Sequence, residues 1–204
     1  MGRSSVTAAA VRHLRRADPV LAELIGRVGP CRLAPQAAGT HFQALTRSIV
    51  YQQLAGAAAA TIHGRVVQLL GDVTPERMLA ASDDSLRTAG LSRQKMSYLQ
   101  DLAHQALAGA LPIDRLHRLD DDDVIQTLSS VKGIGRWTAQ MFLIFRLGRP
   151  DVLPELDLGV RKGARITYRM RSLPTTKRLA KLGERWAPYR SYASWYLWRA
   201  ADSR

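Results

Sequence analysis

Residues 128–139 decide the fold, and they read LSSVKGIGRWTA. Gly133 and Gly135 flank Ile134 between two segments with helical spacing of apolar residues. Glycine permits a positive φ and close backbone approach, so the stretch predicts a tight hairpin between two helices, at about residues 121–147. The second helix begins with N–H groups and a positive dipole end, which suit a phosphate. An ordinary helix–turn–helix corner would use glycine equally well, and the Gly-x-Gly spacing alone favours that interpretation.

Helical periodicity extends outward from this hairpin in both directions. Apolar residues recur every three to four positions, turn signals separate the segments, and no segment alternates apolar and polar residues over a sustained run. Asp18 followed by Pro19 is typical of a helix start. The pattern predicts an all-α protein with helices at about residues 6–16, 19–28, 42–54, 57–70, 75–81, 84–89, 92–109, 120–130, 137–147, 159–169, 175–186 and 191–201.

Charge gives the first indication of a partner. The 204 residues include 30 Lys and Arg against 17 Asp and Glu, for a net charge of +13. An excess of this size attracts polyanions, which makes nucleic acid the leading partner. A composition that is simply rich in arginine would give the same excess, so charge alone does not separate the two interpretations.

Cysteine usage excludes several kinds of site. Cys31 is the only cysteine, so neither an intramolecular disulfide nor a four-cysteine iron–sulfur cluster can form. A reducing, intracellular setting fits this usage. Residues 1–16 lack the long apolar core of a secretory signal, and no stretch resembles a membrane span. We therefore expect a cytoplasmic protein, at the nucleoid when it binds DNA.

The hairpin resembles the helix-hairpin-helix of the base-excision DNA glycosylase superfamily, in which a Gly-Ile/Val-Gly turn is followed by an essential aspartate. Three other stretches, in the same order, are similar to the 3-methyladenine DNA glycosylase II (AlkA-like) branch: IVYQQL at 49–54, GLSRQK at 90–95 and PELDLGV at 154–160. The resemblance covers roughly residues 17–200. Lys132 is a departure, since family hairpins often have proline there.

The resemblance implies two helical lobes with an active-site cleft between them and the hairpin beside it. We expect one lobe from about residues 1–45 plus 150–204, and another from about 46–149. The implied activity is flipping of alkylated purines, such as 3-methyladenine and 7-methylguanine, followed by hydrolysis of the N-glycosidic bond to an abasic site in base excision repair. The alternatives are a glycosylase for deaminated or oxidised bases and a non-catalytic DNA-binding module.

Asp157 is the candidate catalytic residue. It stands just before a helical segment, where an N-cap is the ordinary role of aspartate. The two roles are compatible, because a helix N-terminus stabilises an ionised carboxylate. Breaking a glycosidic bond builds positive charge on the sugar, and a fixed carboxylate stabilises that charge. The resemblance matches Asp157 to the family's catalytic aspartate, whereas the offset of Glu155 matches poorly.

Trp137 argues against strand cleavage. In bifunctional relatives this position holds a lysine whose amine attacks the sugar and forms a Schiff base. The neighbouring Arg136 is too basic to be a ready nucleophile. The resemblance therefore predicts base removal without lyase activity, and the single cysteine agrees, since many bifunctional relatives bear an iron–sulfur cluster.

Aromatic residues cluster late in the chain, at 186–198. Most aromatic stripes belong to a core, so at least half of these residues are expected to pack inside. By resemblance, Trp198 is the pocket tryptophan that stacks on the substrate base. Trp137 and Tyr189 are further pocket candidates, and Met141 stands one helical turn after Trp137.

The resemblance also suggests a wedge, the side chain that fills the space left by a flipped base. Gln53 aligns best with it and Leu54 next. Without the resemblance, the pattern favours an ordinary polar helix end.

Further contacts with double-stranded DNA are expected at the backbone phosphates, from Lys132, Gly133, Gly135, Arg136, Thr138 and Lys95. Lys95 is equally typical of a solvated surface charge. By resemblance, the main-chain carbonyls of Ser129, Val131 and Ile134 hold a structural monovalent or hard cation, a kind of ion that suits carbonyl oxygens. We expect no other cofactor, and a monomer.

Overall fold

The protein is all-α, as the periodicity predicts. The computed structural model describes residues 3–36 and 38–202, and over these it contains helices without a strand. Within these described residues, no helix combines the length and apolar character needed to cross a membrane. The α-helices are α1 (Arg3–Ala17), α2 (Pro19–Val28), α3 (His41–Tyr51), α4 (Gly56–Leu70), α5 (Pro75–Ala80), α6 (Asp83–Thr88), α7 (Arg93–Leu107), α8 (Asp121–Ser129), α9 (Arg136–Phe142), α10 (Leu158–Thr167), α11 (Thr176–Gly183) and α12 (Arg190–Asp202).

Three short helical turns differ from the predicted helices: one is an additional element, and two end a predicted α-helix early. Ile113–Arg118 is a 3-10 helix that the sequence did not indicate, because so short a turn shows no full apolar period. The helix expected at 137–147 is α9 followed by a π-type turn, Leu143–Leu147. The helix expected at 175–186 is α11 followed by a 3-10 turn, Glu184–Trp186.

The chain divides into two compact units, at points that differ from those expected. Unit 1 contains residues 1–36 and 143–204, and unit 2 contains residues 37–142. The start of α3 belongs to unit 2, where the His41 ring meets Phe142 edge-on at 5.5 Å. The π-type turn belongs to unit 1, because the main-chain carbonyl of Phe145 accepts the N–H of Gln36 at 2.7 Å. The chain is therefore divided after residues 36 and 142, whereas the expected division was after residues 45 and 149.

The core of unit 1 surrounds a fully buried carboxylate, Asp18. Asp18 caps α2, as its position before Pro19 predicts, with Oδ1 accepting the main-chain N–H groups of the second and third residues of the helix. Its Oδ2 accepts the Tyr168 hydroxyl at 2.6 Å and the Trp186 indole N–H at 3.1 Å. Burial and the Asp18 bond raise the pKa of Tyr168. One carboxylate therefore ties α2 to the ends of α10 and α11.

Close packing of α10 against α12 fixes the part of unit 1 that carries the candidate catalytic residue. A Cβ atom built on Gly163 would stand 1.9 Å from the carbonyl oxygen of Leu197. Only glycine allows the two backbones to approach so closely. The start of α10 is thereby held at a set distance from the side chains of α12.

Replacing Asp18 with alanine should lower the free energy of unfolding by about 3 kcal/mol, because it leaves the Tyr168 hydroxyl and the Trp186 indole N–H without their acceptor. Urea denaturation measures the change. Asp84→Ala is the control, since that side chain is 91% exposed and forms a surface ion pair with Arg87. Equal stability of the two variants would contradict the role given to Asp18.

Candidate active site and nucleic-acid interface

Asp157 lies at the N-terminus of α10, and the structure confirms that it caps this helix. Its Oδ1 accepts the main-chain N–H of Val160 at 2.8 Å and the indole N–H of Trp198 at 2.8 Å. The residue is only 9% exposed. Two N–H donors and the helix dipole all stabilise a negative charge on this carboxylate and fix its orientation.

Trp198 comes from α12 and supports the carboxylate as well as offering an aromatic surface. Its ring stacks on Phe145 with centroids 5.5 Å apart. A Cβ atom on Gly159 would lie 2.8 Å from Cδ1 of Trp198 and 3.1 Å from Oδ1 of Asp157. Glycine at 159 therefore leaves room for the indole to reach the carboxylate.

Sequence reasoning missed both Phe145 and Gly159. Gly159 follows the candidate aspartate by two positions, so its small size was a signal that could have been used. Phe145 gave no such signal, because the π-type turn changes the direction in which its side chain points relative to a regular helix.

The late aromatic residues belong largely to the core, as expected. Trp186, Tyr192 and Tyr196 are buried. Tyr189 packs on the same core, with its ring 5.4 Å from His13 and 6.2 Å from Tyr192. These contacts give Tyr189 a packing role, and its place in a base pocket stays a prediction.

Unit 2 contains a cavity of about 450 Å³ that brings together residues from the predicted pocket, wedge and backbone contacts. Trp137 and Met141 line it from α9, and Gln53 lines it from the loop after α3. Thr138 also lines the cavity and is only 7% exposed. Its contact with the DNA backbone stays a prediction. The remaining lining residues are Arg47, Ser48, Tyr51 and Gln52.

Arg47 brings an unpredicted positive charge to this cavity. Its guanidinium lies over the Tyr51 ring, 4.2 Å from the centroid. The two residues are four positions apart on α3, so they occupy neighbouring places on one helix face. The i, i+4 spacing was visible in the sequence, but which face of α3 borders a cavity was not.

The loop after α3 carries the predicted wedge in an unusual backbone conformation. Tyr51 is the last residue of α3, whereas the sequence predicts a helix to Leu54. The cause is Gln53, whose φ of +57° lies in the left-handed region that few residues other than glycine adopt. Gln53 is exposed, and Leu54 is 38% exposed.

Lys95 has a structural contact that its sequence position did not reveal. Its ammonium donates a hydrogen bond to the carbonyl oxygen of Val50, in the last turn of α3, at 2.5 Å. Burial lowers the pKa of Lys95. The structure thus corrects the picture of Lys95 as a solvated surface charge, and its contact with phosphate stays a prediction.

The hairpin is supported from α7. Gly133 has a φ of +79°, and a Cβ atom there would lie 2.1 Å from the Tyr98 ring. The Asp101 carboxylate accepts the main-chain N–H of Lys132 at 2.9 Å, and its other oxygen lies 3.7 Å from the Lys132 ammonium. Lys132 therefore has an acidic neighbour, although its side chain is 67% exposed.

Gly133→Ala should destabilise the protein by about 2 kcal/mol or more, because the added methyl group meets the Tyr98 ring and the positive φ disfavours alanine. Gly135→Ala is the matched control, since nothing lies within 4 Å of a Cβ atom at that position. Thermal denaturation of both variants measures the difference. Similar melting temperatures would show that the hairpin does not need glycine at 133.

Comparison with known proteins agrees with this arrangement. Residues 46–188 match the family model described as HhH-GPD superfamily base excision DNA repair protein. DNA-3-methyladenine glycosylase 1 of Schizosaccharomyces pombe is 34% identical over 89% of this chain and 80% of its own length.

Two solved structures share the fold. The DNA-3-methyladenine glycosidase of Bacillus halodurans has a TM-score of 0.87 at 39% identity, covering 95% of this chain and 89% of its own. The 3-methyladenine DNA glycosylase of Schizosaccharomyces pombe, in complex with abasic DNA, has a TM-score of 0.84 at 34% identity, covering 94% and 95%. The chain belongs to the HhH-GPD superfamily of base excision DNA repair proteins.

Proposed function

We propose that this protein is a monofunctional DNA-3-methyladenine glycosylase. It hydrolyses the N-glycosidic bond of alkylated purines flipped out of double-stranded DNA and leaves an abasic site for base excision repair. The observation that carries the proposal is the Asp157 carboxylate, held by the N–H groups of Val160 and Trp198 in a chain similar to proteins of that name.

The carboxylate acts on the charge that develops during bond cleavage. As the bond from C1′ to the base nitrogen lengthens, its electron pair leaves with the base and the sugar becomes positive. Asp157 stabilises this charge and orients the water whose oxygen bonds to C1′. A purine alkylated on a ring nitrogen already carries positive charge, so it departs without strong help from a general acid.

Trp137 supports the absence of lyase activity. It stands where lyase-active relatives carry a lysine, and an indole has no amine to form a Schiff base with the sugar. Its side chain is 43% exposed and lines the unit 2 cavity together with Met141. Both residues offer apolar surface to a flipped base.

DNA binding rests on the hairpin and the start of α9. The N–H groups of Gly133 and Gly135 and the charges of Lys132 and Arg136 are suited to a phosphate group. The carbonyl of Val131 accepts the N–H of Ile134 at 3.1 Å, and a carbonyl oxygen has a second lone pair. We propose that this carbonyl and those of Ser129 and Ile134 hold a structural monovalent or hard cation, because carbonyl oxygens suit such ions.

A glycosylase for deaminated or oxidised bases is the second candidate, and one observation favours it. Arg47 places its guanidinium at the unit 2 cavity, stacked over one face of the Tyr51 ring. That face of the tyrosine ring already contacts a cation, so it is not open to a cationic base. Gln52 and Gln53 add amide groups to the same cavity. Such a lining favours neutral bases with hydrogen-bond acceptors over cationic ones. We further propose that the protein acts as a monomer, inside the cell where its DNA is.

Asp157→Asn should release methylated base from duplex DNA at least about 100-fold more slowly than the natural protein, because the neutral amide stabilises the sugar cation poorly. The substrate is DNA treated with a methylating agent, and released 3-methyladenine and 7-methylguanine are quantified. Strands should break only after alkali. Glu155→Gln is the control and should keep activity.

Three results would count against this assignment. Strand breaks without alkali would show lyase activity. Equal loss in Glu155→Gln and Asp157→Asn would remove the special role of Asp157. Release of hypoxanthine with no release of methylated bases would favour the second candidate function.

Trp198→Phe should lower the rate of base release about 10- to 100-fold, because it keeps an aromatic ring but removes the indole N–H that holds Asp157. Trp195→Phe makes the same chemical change in the same helix, at a ring that packs on Tyr196. Single-turnover kinetics with excess enzyme measures both. A Trp198→Phe variant as active as Trp195→Phe would show that the carboxylate needs no indole donor.

A further inference from the structure

One face of α7 contacts both the end of α3, which leads into the predicted wedge, and the hairpin. Lys95, Tyr98, Asp101 and Gln105 follow one another at intervals of three or four residues, which places them along that face. Lys95 holds the end of α3 through the carbonyl of Val50. The other three residues lie against the hairpin.

The contacts with the hairpin are tight and polar. Gln105 donates to the carbonyl of Ser130 at 3.3 Å and accepts the Ser130 hydroxyl at 3.1 Å. The same amide donates to Asp101 at 2.8 Å, and Asp101 in turn accepts the N–H of Lys132. The end of α3 and the hairpin are therefore both fixed to a single rigid helix.

Gln52 joins the same two elements directly. It is the C-cap residue of α3, and its side-chain amide donates to the carbonyl of Gly133 at 2.9 Å, across 81 positions of sequence. The next residue, Gln53, has a φ of +57°. A non-glycine residue is strained in that region, so the surrounding contacts must hold it there.

We propose that Gln52 is a positioning residue that couples the wedge, Gln53, to the hairpin. This proposal rests on the proposed function. Evicting a base requires unstacking and unpairing it, and a wedge promotes this only when it is held at a fixed place relative to the phosphates that the hairpin binds. The bond from Gln52 to Gly133 supplies that link, so insertion of the wedge and the grip on the backbone act as one rigid unit.

The test replaces Gln52 with leucine, which is similar in size but has no N–H to donate. Gln94→Leu is the matched control. The Gln94 side-chain amide donates a hydrogen bond to the Tyr98 hydroxyl at 2.6 Å. This change therefore also removes a side-chain hydrogen bond near the hairpin, but it leaves the loop after α3 unchanged. Base flipping is followed by stopped-flow fluorescence of 2-aminopurine placed beside the target base. Equilibrium binding is measured for an undamaged duplex and for one containing a tetrahydrofuran abasic analogue.

Gln52→Leu should slow flipping about tenfold or more and weaken binding to the abasic analogue about tenfold, because one hydrogen bond is worth up to roughly that factor. Binding to undamaged DNA should change less than about twofold, and Gln94→Leu should match the natural protein in every measurement. Natural flipping rates in Gln52→Leu would overturn the proposal. Equal losses for abasic and undamaged DNA would also overturn it, because they would make Gln52 a general DNA contact.

Gln52→Glu provides a second variant should the leucine variant fail to fold. It keeps the shape of the side chain and sets a carboxylate against the Gly133 carbonyl, so it should reproduce the flipping defect, and normal flipping in this variant would overturn the proposal. Flipping and abasic binding require no hydrolysis. If the natural protein flips the base but releases no methylated base, the proposed substrate fails while the coupling by Gln52 stands.

Discussion

The side chain of Asp157 depends on two N–H groups, one from its own helix and one from the indole of Trp198. Much of unit 1 serves this arrangement. Gly163 lets α10 approach the backbone of α12, Gly159 leaves space for the indole, and the stack on Phe145 holds the indole ring. In the proposed function this carboxylate stabilises a short-lived cation. Fixing it beforehand helps, because no reorganisation is then needed during the reaction.

Unit 1 also shows that a buried aspartate with a tryptophan partner is not by itself a catalytic group. Asp18 caps a helix, accepts an indole N–H and is fully buried, yet both of its oxygens are bonded within the core. Asp157 retains some exposure, and its sequence neighbours Leu156 and Leu158 are about half exposed. The sequence around each residue predicts a helix cap, and only the surroundings of the carboxylate separate the structural role of Asp18 from the catalytic role proposed for Asp157.

Local patterns predicted much of the fold, including the all-α class, most helices, the Asp18 and Asp157 caps and the burial of late aromatic residues. They did not reveal contacts between distant segments. Gln52 and Gly133 are 81 positions apart, and Lys95 reaches Val50 across 45. Neither contact leaves a periodic trace, because each depends on how helices pack. The positive φ of Gln53 is of the same kind, since no propensity of glutamine predicts it.

The π-type turn at Leu143–Leu147 makes one short stretch of the chain unusually sensitive to length. A π-type turn contains about one residue more than an α-helical turn. Deleting a single residue there would convert it to regular helix and rotate Phe145 by about 100° around the helix axis. The aromatic stack behind Trp198 would be lost even though every side chain near Asp157 was retained. Among related sequences, insertions and deletions are therefore expected to avoid this turn. They should accumulate in surface loops, where the number of residues does not affect the stacking behind Trp198.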